Sequence, residues 1–360
     1  MMIRTACTIR RGPFDDPDPA KRGLIEVREL PGRELTPEAI RIKVAYNAIC
    51  GSEAHGFQAG WTSSMPPSTE PRGMGHEVSG VVVEVGEKAK HRGLKVGDRV
   101  GANFVHFCGD CYYCLNGMQN YCENMMEYSA PGCAEYVTWH EQQFYKLPDS
   151  ISLKEGCLLE PTGIGVRMTD KLNMKVGENT IVCGGGPIGL IALQLLNLYG
   201  ASNLTLIEPI AARRELAKTF GAVHVIDPFN EDVEARCLEI TGGRGFEKVL
   251  DASGAKAMMP TLLKIACRGA TVIYGAMYPA DYELPLNLAT YLYRNELTIS
   301  GVYIAPYVFP RTVNIMPRLN LKPFIECIFP LDQAHEAMVT QLTGKYPKVL
   351  INCNADVADL

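Results

Sequence analysis

The sequence predicts an α/β protein, a β-rich lobe followed by a doubly wound parallel sheet. Three observations carry that prediction. Between Leu24 and about Pro148, short β-branched runs are cut by glycines and prolines. From about Asn179, strand-like runs alternate with helical ones. The first strand and helix of that alternation are joined by a glycine-rich turn.

In the lobe, "IRIKVAYNAI", "EVSGVVVEVG" and "AEYVTWH" are rich in Val, Ile, Tyr and Thr, so each reads as a strand. In the second part "NTIVCGGG" runs into the helical "PIGLIALQLLNLYG". The segments "NLTLIEP" and "AARRELAKTFGA" repeat that order, and "KVLDASG" and "ATVIYGA" are further strands. Apolar strands separated by helices indicate a parallel sheet covered on both faces. After about Ser300 the chain is proline-spotted, with a helix expected at "LDQAHEAMVTQL" and a last strand at "KVLINC". There is no internal repeat and no low-complexity tract.

The 360 residues, 47% of them hydrophobic, suffice for one large or two ordinary buried cores. A net charge of −5 leaves no basic face to neutralise phosphates, which argues against a nucleic-acid partner. The N-terminus turns polar before any apolar run is long enough for a signal peptide. No later run reaches the roughly 18 residues of a membrane span, so a soluble cytoplasmic protein without a membrane partner is expected. Of the 13 cysteines, most stand singly in apolar runs, such as Cys183, Cys267 and Cys327. That suits a reducing compartment, where buried thiols act as small hydrophobes and clustered cysteines read as metal ligands.

Gly184, Gly186 and Gly189 have the G-x-G-x-x-G spacing between strand and helix. The first glycine permits a tight turn, the second lets the backbone approach a pyrophosphate, and the third lets helix pack on strand. Pro187 and Ile188 open a helix whose N-terminus then faces the phosphates. Glycine triplets also occur in ordinary turns. Glu208, ending the next strand, is placed to accept both ribose hydroxyls, which favours NAD over NADP. Arg213 and Arg214 on the following helix read either as partners of a 2′-phosphate or as a solvated helix face.

Cys108, Cys111, Cys114 and Cys122 are spaced C-x2-C-x2-C-x7-C, which lets a short loop wrap four thiolates around one ion. Zinc is the first choice. An iron-sulfur cluster is the alternative, although the usual C-x3-C-P continuation is absent. Four protein ligands leave no open position, so this ion would fold a loop and touch no substrate. Cys50, His76, Glu77 and Glu160 offer the thiolate, imidazole and carboxylate types of an open catalytic zinc. A histidine after Gly-Met-Gly reads equally as structural, and His76-Glu77 is not part of H-E-x-x-H, so a zincin protease is not indicated.

Taken together, "CGSEAH", "GHEVSG", "VGDRV", the four-cysteine lobe, "LLEP", "GGGPIG" and "VLDASG" span almost the whole chain. In that order they resemble the zinc-dependent medium-chain dehydrogenases, in the branch of sorbitol, threonine and other polyol dehydrogenases. The resemblance implies a GroES-like catalytic domain over 1–160 and 303–360, with a structural-zinc lobe at about 104–124, and a Rossmann domain over 161–302. It implies two zincs per chain: a catalytic one on Cys50, His76, Glu77 and Glu160, and a structural one on the four clustered cysteines. NAD would lie on Gly184, Gly186, Pro187, Ile188, Gly189, Glu208 and Arg213. Ser52 is implied as the hydroxyl that relays the substrate proton, His55 as the histidine that passes it outward, and Glu53 as the acid behind the zinc histidine. Glu53 departs from the family's usual Asp, and its extra methylene must be absorbed locally.

The implied mechanism has zinc bind the substrate hydroxyl and lower its pKa. Ser52 and His55 carry the proton to water, and the carbinol hydride passes to nicotinamide. The substrate class is a polyol, cyclitol or sugar derivative, with a threonine-type amino alcohol as alternative and an inactive nucleotide-binding relative as the non-enzyme one. Gly56 and Ile304-Ala305 stand where sorbitol dehydrogenases commonly carry an aromatic and an Arg-aromatic pair, which disfavours sorbitol itself. Phe57, Trp61 and Tyr303 are pocket candidates, and Arg318 and Lys322 read as phosphate partners or as solvated charge. Family members are commonly tetramers or dimers, so a homo-oligomer is expected.

Overall fold

The computed structural model describes residues 1–58, 72–89 and 92–358. Two compact units emerge, Met1–Glu160 with Phe309–Leu360, and Pro161–Val308. Trp61 lies outside the described residues.

The first stretch of unit one contains β1 (Met2–Arg10), β2 (Leu24–Pro31), β3 (Ala39–Ala48), α1 (Gly51–Phe57), β4 (Arg72–Gly73), β5 (Glu77–Val85) and β6 (Arg99–Ala102). It continues with α2 (Tyr112–Leu115), β7 (Tyr136–His140), β8 (Phe144–Lys146) and α3 (Leu153–Gly156). After α4 (Leu159–Leu172) come β9 (Asn179–Cys183), α5 (Pro187–Tyr199), β10 (Ser202–Ile207), α6 (Ala211–Thr219), β11 (His224–Ile226) and α7 (Val233–Ile240). Unit two closes with β12 (Phe246–Asp251), α8 (Met259–Lys264), β13 (Ala266–Tyr274) and β14 (Thr298–Gly301). The chain then returns to unit one through α9 (Phe309–Ile315), β15 (Cys327–Pro330), α10 (Ala334–Leu342) and β16 (Val349–Asn352).

Unit one is built on a seven-stranded sheet ordered β15-β16-β3-β5-β6-β8, with β7 also pairing β3, and on a small sheet β2-β1-β4. Its core gathers Ile40, Ile42, Val44, Val78, Val82, Trp139 and Phe144 around β3, joined by Val349 and Ile351 of β16. The C-terminal strand is therefore internal, hydrogen-bonded antiparallel to β3 on one side and parallel to β15 on the other.

Unit two is a six-stranded parallel sheet ordered β11-β10-β9-β12-β13-β14. From Thr180 to Cys183, β9 is buried on both faces, the condition that makes central parallel strands continuously apolar. The helix α5 buries the run Gly189–Leu196 and stops at Gly200, whose left-handed φ of 87° caps it. Among the described residues, no helix is long and apolar enough to cross a membrane.

Candidate active site

The antiparallel ladder of β3 and β5 sets Ala48 opposite Glu77. The end of one strand and the start of the other therefore carry Cys50, His76 and Glu77 to one place. Their ligating atoms lie within 4.8 Å of one another. Gly75 makes the approach possible: its φ is 98°, and a Cβ there would sit 2.1 Å from the Cys133 backbone nitrogen.

The Glu53 carboxylate serves three groups. Its Oε2 accepts from the Cys50 backbone N–H at 3.1 Å, and its Oε1 accepts from Gly75 N–H at 2.5 Å and faces His76 Nδ1 at 3.4 Å. Burial raises the Glu53 pKa, but His76 and the two backbone donors outweigh it and hold the carboxyl below its usual range. Burial likewise works against a charged His76, yet the Cys50 thiolate and Glu53 keep its pKa well above the usual value.

Glu77 is 1% exposed and pairs with Lys348, 2% exposed, from the turn before β16. Lys348 Nζ donates to Oε1 at 2.7 Å and lies 2.6 Å from Oε2. The second approach is a charge contact outside hydrogen-bond directions, so Oε2 keeps a buried acceptor site with no donor. The burial cost to the Lys348 ammonium is overcome by Glu77, Cys50 and Glu160, which raise its pKa.

Glu160, in the first turn of α4, is 5% exposed and lies outside the tight trio of donor atoms. Burial pushes its carboxyl up to about 7, Glu77 adds to the rise, and His76 and Lys348 oppose it. Ser52 is half-buried on α1, and exposed His55 follows at i+3 on the same helix face.

A zinc ion suits the trio. Thiolate, imidazole and carboxylate are its customary donors, Glu77 Oε2 is buried with a lone pair unclaimed, and three protein groups leave a position open.

The second cysteine set also converges, with all four sulfurs within 4.8 Å of one another and every cysteine of the chain free of disulfides. The Sγ separations of Cys108 from Cys122 and from Cys114 are 3.6 and 4.0 Å. The edge of a tetrahedron with Zn–S bonds near 2.3 Å is about 3.8 Å. Backbone N–H groups of Cys108, Cys111 and Asn124 point at sulfur at 3.4 Å. Backbone donation from Asp110 heads the causes that bring Cys108 down to about 6, while burial raises the Cys114 and Cys122 thiols.

In unit two Gly184 turns with φ of 102°, and a Cβ on it would strike Ser253 at 2.8 Å. A Cβ on Gly189 would lie 1.9 Å from the Gly184 carbonyl oxygen, so helix and strand meet there through bare backbone. Gly186, by contrast, faces open space at the uncapped N-terminus of α5, with Pro187 and Ile188 in the first turn. That opening suits a dinucleotide pyrophosphate. Glu208, 3% exposed, accepts from Gly185 N–H at 2.6 Å and from Ile210 N–H at 2.8 Å.

The arginines on α6 differ from a simple solvated face. Arg214 donates to the Glu208 and Pro209 carbonyls, both at 2.7 Å, and pairs with Asp227 at 2.9 Å. Arg213 is half-buried. Of the pocket candidates, Phe57 is a core residue at 1% exposure and Tyr303 is exposed. Arg318 and Lys322 are exposed. Sequence reasoning passed over Lys348, which carried no signal beyond a lysine flanking an apolar run.

A metal-binding lobe of this topology and a doubly wound nucleotide unit in one chain define a zinc-binding dehydrogenase. Residues 36–149 match the alcohol dehydrogenase GroES-like domain and residues 187–317 the zinc-binding dehydrogenase domain. Sorbitol dehydrogenase of Rattus norvegicus is 31% identical over 344 residues, covering 92% of this chain and 94% of that protein. D-arabitol-phosphate dehydrogenase of Enterococcus avium is 32% identical over 331 residues, covering 90% and 92%. The crystal structure of a Clostridium scindens protein described as a zinc-binding dehydrogenase superposes with a TM-score of 0.88 at 32% identity, over 97% of this chain and 99% of that one. The chain belongs to the zinc-dependent medium-chain dehydrogenases, in their polyol-dehydrogenase branch, a family of oxidoreductases acting on CH–OH groups.

Proposed function

We propose that the protein oxidises a secondary hydroxyl of a polyol, cyclitol or sugar derivative to the ketone, reversibly and with NAD. The observation that carries this reading is the convergence of Cys50, His76 and Glu77, backed by Glu53 and Lys348. Zinc held by that trio, with Glu160 in the same buried charge network, would supply Lewis acidity toward a hydroxyl, and NAD would take up hydride.

The chain's own groups divide the remaining work. Glu53 fixes the imidazole of His76 by facing Nδ1, leaving the other ring nitrogen for the metal. Lys348 holds the Glu77 carboxylate through Oε1. Ser52 Oγ accepts the substrate's proton and passes it to His55, whose exposure lets it return the proton to water. Gly186 opens the turn to the pyrophosphate while Gly184 and Gly189 let the turn and helix pack closely, and Glu208 accepts the adenosine ribose hydroxyls, which favours NAD. Arg213 lines the same edge. The four clustered cysteines hold a second zinc that folds their loop. The reading includes a homo-oligomer in the cytoplasm, and sedimentation of the purified chain tests its assembly state.

The test is zinc content per chain in the wild type and in Cys50→Ala, with NADH formation followed on polyols, cyclitols, sugar phosphates and threonine. Two zincs falling to one, with turnover lost, are expected. A single zinc unaffected by Cys50→Ala, with no turnover on any substrate, refutes the reading.

A further inference from the structure

The strand order of unit two reverses between β9 and β12, and ligands of such sheets lie outside the carboxyl ends at that reversal. Glu208 stands on the β10 side. On the other side Asp251 ends β12 with 0% exposure, and among the described residues no cation pairs with it. Its charge is met by four donors instead. Ser253 N–H and Oγ–H reach Oδ1 at 3.0 and 2.6 Å, and Tyr278 O–H and Gly254 N–H reach Oδ2 at 2.6 and 3.3 Å.

Tyr278 comes from the loop after β13, and its oxygen also accepts from Ala276 N–H at 3.3 Å. Burial and the neighbouring Asp251 push its hydroxyl far above the usual phenol range, so it remains a donor. That loop presses on the β12 turn: a Cβ on Gly254 would lie 2.7 Å from the Met277 carbonyl oxygen. The β12 turn in turn backs the glycine-rich turn, since Ala252 N–H donates to the Cys183 carbonyl at 2.8 Å and Ser253 abuts Gly184. Asp251 thus ties the loop after β13 to the β12 turn, and that turn carries the tie on to the glycine-rich turn after β9. Tyr278 is the sole side-chain tie from the third loop to this carboxylate among the described residues.

We propose that Tyr278, through its hydrogen bond to Asp251, is a positioning residue for the nicotinamide half of the dinucleotide. The inference rests on the dinucleotide reading above: with the adenosine ribose at Glu208, the second mononucleotide falls on the β12–β13 side of the reversal. The hydroxyl holds the backbone of Ala276–Tyr278 against the β12 turn, and so sets that wall of the crevice. Removing it leaves Asp251 Oδ2 with one long backbone donor, which drives the carboxylate and the loop to rearrange.

The test is titration of the whole chain with NADH and separately with ADP, which carries only the adenosine half. In Tyr278→Phe, Kd for NADH rises about tenfold, while Kd for ADP stays within about twofold of the wild type. Tyr274→Phe loses a hydroxyl bonded to the Met259 carbonyl at 2.9 Å, and serves as the control that leaves both constants in place. NADH affinity within twofold of the wild type in Tyr278→Phe, or an equal loss for NADH and ADP, overturns the proposal. Wild-type protein that binds neither ligand refutes the dinucleotide reading itself. Should Tyr278→Phe fail to fold, Asp251→Asn replaces it in the same titrations, where a loss confined to NADH supports the proposal and any other pattern overturns it.

Discussion

Lys348 and Glu77 form an ion pair closed off from solvent, with the ammonium within 2.7 Å of both carboxylate oxygens. A buried pair of this kind gives little net stability, but losing one member strands the other charge. Lys348→Met should therefore cost about 3 to 5 kcal/mol in guanidinium unfolding of the zinc-free protein. Glu77→Gln combined with Lys348→Met should recover much of that loss. Equal stabilities for the single and double variants would show that the pair does not carry the effect.

Glu53 joins the start of α1, the Gly75 turn and His76 through one carboxylate. Glu53→Ala frees all three, and the expected result is zinc affinity at the Cys50 site lowered by about 10- to 100-fold in chelator competition. The four-cysteine site should keep its metal. Unchanged affinity at the Cys50 site would remove Glu53 from any part in orienting the imidazole.

The carboxylate of Glu208 is fixed by two backbone donors, one of them from the glycine turn itself. Glu208→Ala should lower kcat/KM with NAD by about tenfold or more, because ribose hydroxyls lose a charged acceptor. With NADP the loss should be smaller or reversed, since the repelling charge has gone while Arg213 remains. A parallel loss with both cofactors counts against Glu208 as the discriminating residue.

Much of this chemistry was legible in the sequence because it is local. The cysteine spacing and the glycine turn each fit within one short segment, where chain geometry alone fixes what converges. The apolar strand before Gly184 and the helix after it likewise followed from composition and period. Lys348 did not, since its partner is 271 positions away and only the insertion of β16 beside β3 brings them together. The salt bridge from Arg214 on α6 to Asp227 after β11 and the bond from the loop residue Tyr278 to Asp251 at the end of β12 were hidden too, since each depends on the folded sheet and not on one short motif. Phe57 illustrates the converse: beside Ser52 and His55 in sequence it suggests a pocket wall, yet the ring is core because Gly23 leaves room for it.

Acid sensitivity should centre on Asp98. Its side chain is 6% exposed and accepts from Lys146 Nζ at 2.7 Å and from Lys95 N–H at 2.9 Å. Burial alone would raise its pKa, but those donors lower it below the ordinary 3.8. A depressed carboxylate contributes stability that is fully present above 3.8 and is lost as pH falls through the lower folded value. Asp98→Asn should therefore show urea midpoints that change less than the wild type's as pH drops from about 5 to 3. Parallel curves for the two proteins would exclude this contribution.

The central position of β16 also governs the order in which the protein is made. Its partner strand β3 leaves the ribosome roughly 300 residues earlier, some 15 to 60 s at ordinary elongation rates. Pro161–Val308, an uninterrupted segment, is synthesised in full during that interval. The nascent N-terminal sheet meanwhile stands two strands short, without β15 and β16, and Cys50, His76 and Glu77 exist before the lysine that pairs with Glu77 has been translated. The unit that begins the chain is thus the last to be completed.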